Sequence, residues 1–90
     1  MTEPLIWEVE WTAAAERDLA RLDPPVARRI VRAVVRLAAT GQGDVTVLRK
    51  PLTGCRLRVG DWRVRFVYDR RTGTIYVLHV RHRREAYHRP

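Results

Sequence analysis

Cysteine, lysine and long apolar runs are almost missing from this chain, and each shortage removes a class of protein. Cys55 is the single cysteine among 90 residues, so no internal disulfide and no cysteine-pair zinc site can form. No apolar run approaches the roughly 20 residues of a membrane span. The opening Met-Thr-Glu-Pro-Leu lacks both the basic and the apolar regions of a secretion signal, so the expectation is a soluble, cytoplasmic protein with no membrane partner. There is no Gly-rich phosphate loop, no H-E-x-x-H and no Ser-His-Asp set. His79 and His82, three apart on an expected strand, face opposite sides and make poor co-ligands, so neither metal nor cofactor is expected.

Acidic residues are also few. Against 10 Asp and Glu stand 18 Lys and Arg, a net charge of +8, and Lys50 is the only lysine. With an isoelectric point near 11.2, such a chain is drawn to nucleic acid, anionic membrane or acidic protein. The arginine bias favours planar, bidentate contacts of the kind phosphates make. Ninety residues give one domain, 1–90, with one core.

What the chain does have is a strongly patterned stretch, Cys55 to Tyr68, alternating apolar and basic residues across Gly60-Asp61. Gly-X is the pair of a type II′ turn, whose first central residue needs positive φ, and that turn sets the register of both arms. Val59 then faces Trp62, Leu57 faces Val64 and Cys55 faces Phe66 on one side. On the other, Arg58 faces Arg63 and Arg56 faces Arg65. Like charges directly opposite cost roughly 0.2–1 kcal/mol per pair, a cost that a polyanion lying across the face relieves. Cys55 falls on the apolar side and reads as a small buried hydrophobe rather than a reactive thiol.

Around this hairpin the chain reads simply. Ile6 to Trp11 alternates as a half-buried strand with Trp7, Val9 and Trp11 inward. Thr12 caps a helix from Ala13 to about Leu22, with Ala15, Leu19 and Leu22 on one face. Asp23-Pro24 starts a second helix that runs to about Thr40 and stops at Gly41, making an αα-hairpin. On it Arg28, Arg32 and Arg36 form a stripe beside Arg29, while Val31 and Val35 widen the apolar arc beyond what one sheet requires. Gln42 to Thr53 reads as a connector. Asp69 to Gly73 makes a turn before a strand from Thr74 to about Arg81. A five-residue loop there pairs Tyr76 with Phe66, Leu78 with Val64 and Val80 with Trp62, and puts His79 opposite Arg63. The basic face thereby gains His79, Arg81 and, by parity, Arg83. The tail from His82 is too polar for core and too short for an independent helix.

The element order, the stretch Cys55-Arg-Leu-Arg-Val-Gly-Asp-Trp-Arg-Val64 and the ending Val80-Arg-His-Arg-Arg-Glu-Ala-Tyr87 resemble the RelE/ParE superfamily of toxins, RelE branch, over nearly the whole chain. That resemblance implies an α+β fold: an N-terminal strand, an αα-hairpin, then a three-stranded antiparallel meander with the helices on one sheet face. It implies the toxin of a type II toxin-antitoxin system, an endoribonuclease that cuts messenger RNA, typically on the ribosome, and is silenced by an antitoxin protein. The family's basic strand residues fall at Arg56 and Arg58, its second-strand arginine at Arg63, its post-strand arginine at Arg83 and its C-terminal tyrosine at Tyr87. Two positions depart from the pattern: the first pair is usually lysine-rich, and Arg81 stands where glycine is common.

Metal-free RNA cleavage needs a base for the 2′-hydroxyl, cationic donors for the phosphorane oxygens and an acid for the 5′-oxygen. Arginine, always protonated, serves as the donor and poorly as the base. The expected roles are therefore phosphate stabilisation for Arg63 and Arg83 from an open face, RNA positioning for Arg56 and Arg58, and stacking or proton transfer for Tyr87. Arg65, Arg81, His79 and His82 are expected to add RNA contacts, and the two histidines are the groups that titrate near neutrality. Two other functions fit the same resemblance and charge. One is a ParE-like poison of DNA gyrase; the other is a non-catalytic module that binds nucleic acid or an acidic antitoxin.

Overall fold

The computed structural model describes residues 7–86. The elements run β1 (Glu8–Trp11), α1 (Ala13–Ala20), α2 (Pro24–Thr40), β2 (Asp44–Val47), β3 (Cys55–Val59), β4 (Trp62–Asp69), β5 (Thr74–His82) and α3 (Arg83–Ala86). The five strands form one sheet in the order β1-β5-β4-β3-β2. β1 lies parallel to β5, and the other neighbours are antiparallel. Buried side chains of β3, β4 and β5 meet Ala15 of α1 and Ile30, Val34, Leu37 and Ala38 of α2 in one core.

Local chemistry accounts for the helix limits. The Thr12 side chain accepts from the Ala15 amide at 3.2 Å, starting α1 as a cap should. Asp23 precedes α2 but makes no side-chain cap bond, so Pro24, with its pre-set φ, carries that start. Buried residues at 30, 34, 37 and 38 of α2 follow the helical repeat and leave the arginines outside.

The β3–β4 hairpin has the expected register at every pair, from Val59 opposite Trp62 to Cys55 opposite Phe66. Gly60 has φ +60°, the positive value that a II′ turn requires and that a side chain would resist. β4 and β5 pair differently from expectation. Asp69 pairs with Thr74, closing the loop one residue tighter, so Phe66 faces Val77 and Tyr68 faces Ile75. A β-bulge beside Arg65 and Phe66 then shifts the register, so that Val64 faces Val80, Arg65 faces His79 and Arg63 faces Arg81. The expected pairs Tyr76–Phe66, Leu78–Val64, Val80–Trp62 and His79–Arg63 are therefore replaced. The reason is apolar burial: the extra residue lets Ile75, Val77 and Val80 all face the core, which an unbroken period of two forbids.

α1 supplies the hydrogen bonds that this irregular stretch needs. β1 covers the outer edge of β5 only as far as Val77. Beyond it the Thr12 hydroxyl donates to the carbonyls of Val77 (2.8 Å) and Leu78 (3.1 Å), and the Val80 amide donates to Asp18 Oδ2 at 2.8 Å. Buried backbone groups without such partners cost as much as lost hydrogen bonds.

Two segments differ from the sequence reading by gaining structure. The connector contains β2, whose four residues pair with β3 and extend the meander by a strand. The polar tail begins with one helical turn, α3, tied down where the Arg83 amide donates to the Asp61 carbonyl at 2.7 Å. Among the described residues no helix is long and apolar enough to cross a membrane.

Candidate nucleic-acid interface

The sheet face opposite the helices carries a pocket of about 90 Å³ lined by Leu48, Leu52, Arg56, Arg63, Arg65, His79 and Arg81. Strand alternation brings the four arginines and His79 together from three strands, and among the described residues no carboxylate lines the pocket. The two leucines come from the β2–β3 loop, which folds over the basic face. Arg65 Nη2 donates to the Thr53 carbonyl at 3.0 Å and holds the loop there. That crossing depends on Gly54, whose φ is +85° and whose added Cβ would lie 2.7 Å from the Phe66 carbonyl oxygen.

Arg63 is not on an open face. It is 8% exposed, and its Nη1 donates to the carbonyls of Gly60 and Trp62, each at 3.3 Å. The loop leucines and neighbouring arginines line the pocket beside it. Arg83 is exposed and stands on α3 beside the hairpin turn, where its Nη1 lies 3.7 Å from Asp61 Oδ1. So the two arginines expected to stabilise phosphate are fastened to consecutive residues of one turn, one from inside the sheet face and one from its rim.

His79 is half-buried within the pocket, and its Nδ1, like Arg65 Nε across the ladder, is buried with no hydrogen-bond partner among the described residues. Burial, followed by the positive charges of Arg81 and Arg65, holds its pKa below the ordinary 6.5, with Asp18 pulling weakly the other way. Near neutrality the ring is therefore uncharged and can accept a proton.

Among the described residues three of the sequence-selected ones, Arg83, Arg58 and His82, do not line this pocket. Arg58 lines a different depression with Arg29, Arg32 and Arg36 of α2. His82 pairs with Trp62 on the helix side of the sheet, edge-on to its ring at a centroid distance of 5.1 Å, and its Nδ1 accepts from the Arg84 amide. Tyr87 lies outside the described residues. Conversely, sequence reasoning missed Leu48 and Leu52 as lining residues; the alternation of Val45 and Val47 after Gly43 is the signal that would have marked β2 and the loop beyond it. Among the described residues no group of three or more His, Cys, Asp or Glu could hold a metal ion. Cys55 is buried, and burial pushes its thiol pKa up, away from reactivity.

A family model described as the ParE toxin of the type II toxin-antitoxin system parDE matches residues 9–87. The chain belongs to this family. It is thus a toxin of a type II toxin-antitoxin system, within the RelE/ParE superfamily. Solved structures give the same fold. The toxin-antitoxin complex RelBE2 from Mycobacterium tuberculosis contains a chain 29% identical, with a TM-score of 0.77, the match covering 87% of this chain and 99% of that one. The archaeal RelE-RelB complex from Pyrococcus horikoshii has a chain 21% identical at a TM-score of 0.70, covering 88% of this chain and 97% of that one. The RelB-RelE antitoxin-toxin complex from Methanococcus jannaschii has one 18% identical at 0.69, covering 86% and 93%. No curated protein matches the chain.

Proposed function

We propose that this toxin is an endoribonuclease that cuts messenger RNA in the cytoplasm, on the translating ribosome, and so inhibits translation. The observation that carries this reading is the pocket in which Arg56, Arg63, Arg65, Arg81 and a neutral histidine meet with no carboxylate among them. Such a site fits a dianionic phosphorane and repels nothing that RNA presents.

The chemistry needs no metal. The 2′-oxygen attacks the adjacent phosphorus, its proton passes to the pocket's uncharged imidazole, the bond to the 5′-oxygen breaks, and that oxygen takes a proton from Tyr87 or water. Arg63, anchored to Gly60 and Trp62, needs no reorganisation to meet the charge. Arg83 exchanges Asp61 for phosphate; a surface pair of that length contributes about 1 kcal/mol or less, so the exchange costs little. Arg56, Arg65 and Arg81 position the strand.

An antitoxin completes the system. The similar chain from Mycobacterium tuberculosis is part of a toxin-antitoxin complex, and an acidic segment that folds on binding suits a surface of this charge. A second reading, gyrase poisoning, is favoured by the ParE description of the matching family model.

Sequencing of transcript ends after brief induction separates the two. Discrete new 5′ ends inside translated frames are the expected result. Intact transcripts with accumulating double-strand DNA breaks would replace the nuclease with the poison, and intact transcripts and DNA would leave a binding module.

A further inference from the structure

A second basic depression, of about 500 Å³, lies between α2 and the margin of the sheet. It is lined by Arg29, Arg32 and Arg36 from successive turns of α2, by Arg58 and Val59 from β3, and by Gly60 of the turn that follows. β2 begins only at Asp44, opposite Arg58, so β3 has no neighbour on that side past this point and the depression is open there. Among the described residues none of the four arginines forms an ion pair, although Asp44 borders them; Arg36 is held only by Gln42 Oε1, at 2.7 Å from its Nη2. Four uncompensated guanidinium groups in one groove repel each other, and a chain selected for stability alone would scatter them.

The groove adjoins the pocket described above across the β3–β4 turn, although the two share no lining residue. The Arg29 guanidinium lies over Gly60, where an added Cβ would be 2.9 Å from Nη2. The carbonyl of that same Gly60 accepts from Arg63, and the next residue, Asp61, holds Arg83. The hairpin turn thus lies between the two. The groove's apolar lining is Ala33, Leu57 and Val59, and among the described residues no aromatic ring on which a base could stack lines it.

We propose that the α2 groove is a second RNA subsite, which grips the backbone phosphates of the strand flanking the cleaved bond and does so without reading bases. The proposal rests on the RNA-cleaving reading above. The arginines then divide by role. Arg63 and Arg83 act on the reacting phosphate and Arg56, Arg65 and Arg81 position the strand there, while Arg32, Arg36 and Arg58 hold the neighbouring phosphates. An acidic protein segment is the rival occupant. RNA is favoured because the groove and the reacting pocket lie on either side of one turn, so that a single strand crossing it meets both sets of arginines.

The test measures binding of RNA made uncleavable by 2′-O-methylation, as a trinucleotide and as long unstructured strands of different base composition. The variant is Arg32→Gln/Arg36→Gln, both exposed; the control, Arg70→Gln/Arg71→Gln, removes the same charge from the exposed β4–β5 turn. The double groove variant is expected to lose about tenfold or more in affinity for every long strand, with its salt slope shallower by about 0.7 for each phosphate no longer neutralised. Trinucleotide binding should not change, and the control should lose far less. Equal losses in variant and control would reduce the effect to net charge and overturn the subsite. Unchanged long-strand affinity, with loss confined to an acidic peptide probe, would hand the groove to a protein partner. If the wild type binds the long strands but cleaves none under any condition, including on ribosomes, the nuclease reading fails while the subsite stands or falls on the binding data alone.

Discussion

Arg65 and His79 stand opposite each other across β4 and β5, and each keeps one ring or guanidinium nitrogen buried without a partner. Placing a histidine against an arginine is tolerable only while the imidazole is neutral, and burial, Arg81 and Arg65 keep it so. The stability consequence has a definite sign. In the unfolded chain the ring titrates near its ordinary 6.5, and in the folded chain lower. Between those values the unfolded state binds the extra proton, so stability rises with pH across that window, is fully present above about 6.5 and is lost as pH falls through the folded value. Urea unfolding from about pH 7.5 downward should show a steeper loss for the wild type than for His79→Gln. Parallel curves for the two proteins would mean that His79 is as easily charged in the fold as outside it.

Asp18 reaches the same strand from the other side. Its carboxylate takes the Val80 amide next to the bulge, a position β1 does not extend far enough to cover. Asp18→Ala leaves that amide without an acceptor and should cost about 1–3 kcal/mol, whereas Asp18→Asn retains an acceptor oxygen and should cost less. Because Asp18 raises the His79 pKa, both changes should lower it further, a shift that NMR titration of the imidazole reads directly. An Asp18→Ala protein as stable as the wild type would show that the Val80 amide is satisfied some other way.

How much of this was legible in the sequence follows from how local each determinant is. Gly60-Asp61 alone specifies five cross-strand pairs, because a two-residue turn leaves no freedom in register. The β4–β5 register was not legible by the same means. It depends on a loop one residue tighter than expected and on a bulge whose benefit, burying Ile75, Val77 and Val80 together, is felt only once the helices are in place. Parity recovers on the far side of the bulge, so His79 and Arg81 lie on the basic face as expected, although His79 faces Arg65 instead of Arg63. Arg63 shows the other limit. Alternation gives its face but not its depth, which goes with hydrogen bonds back into the turn at Gly60 and Trp62 that no periodic signal marks.

The β2–β3 loop makes Gly54 a sensitive position. With φ at +85° and the Phe66 carbonyl oxygen 2.7 Å from any Cβ, Gly54→Ala is strained twice, by its backbone and by contact with backbone that cannot swing aside. A loss on the order of 1–3 kcal/mol is expected, read as a lowered denaturation midpoint. The Arg65 hydrogen bond to Thr53 should weaken with it, so Arg65→Ala should cost less stability in the Gly54→Ala background than alone. Strict additivity of the two changes would separate the glycine from the loop's hold on the basic face.

The nuclease assignment meets its hardest test at Arg63, Arg83 and Arg65, and the burial of Arg63 decides how that test is made. Arg63→Ala would remove a buried side chain and its two carbonyl hydrogen bonds, so lost activity could reflect lost stability of about 1–3 kcal/mol rather than lost chemistry. Arg63→Lys keeps the stem and the charge but not the fork, and is the informative change. Arg83 is exposed with a weak partner, so Arg83→Ala should alter stability by less than about 0.5 kcal/mol. If both arginines stabilise the phosphorane, each variant should cleave RNA on the order of 10²–10³ more slowly, with binding of uncleavable RNA nearly unchanged. Arg65 shares the pocket but not the family motif, so Arg65→Ala should weaken binding and leave the cleavage step close to wild type. Equal, small losses at all three positions would make the pocket a generic electrostatic surface, and the toxin would then act by capturing a partner, as the gyrase reading holds.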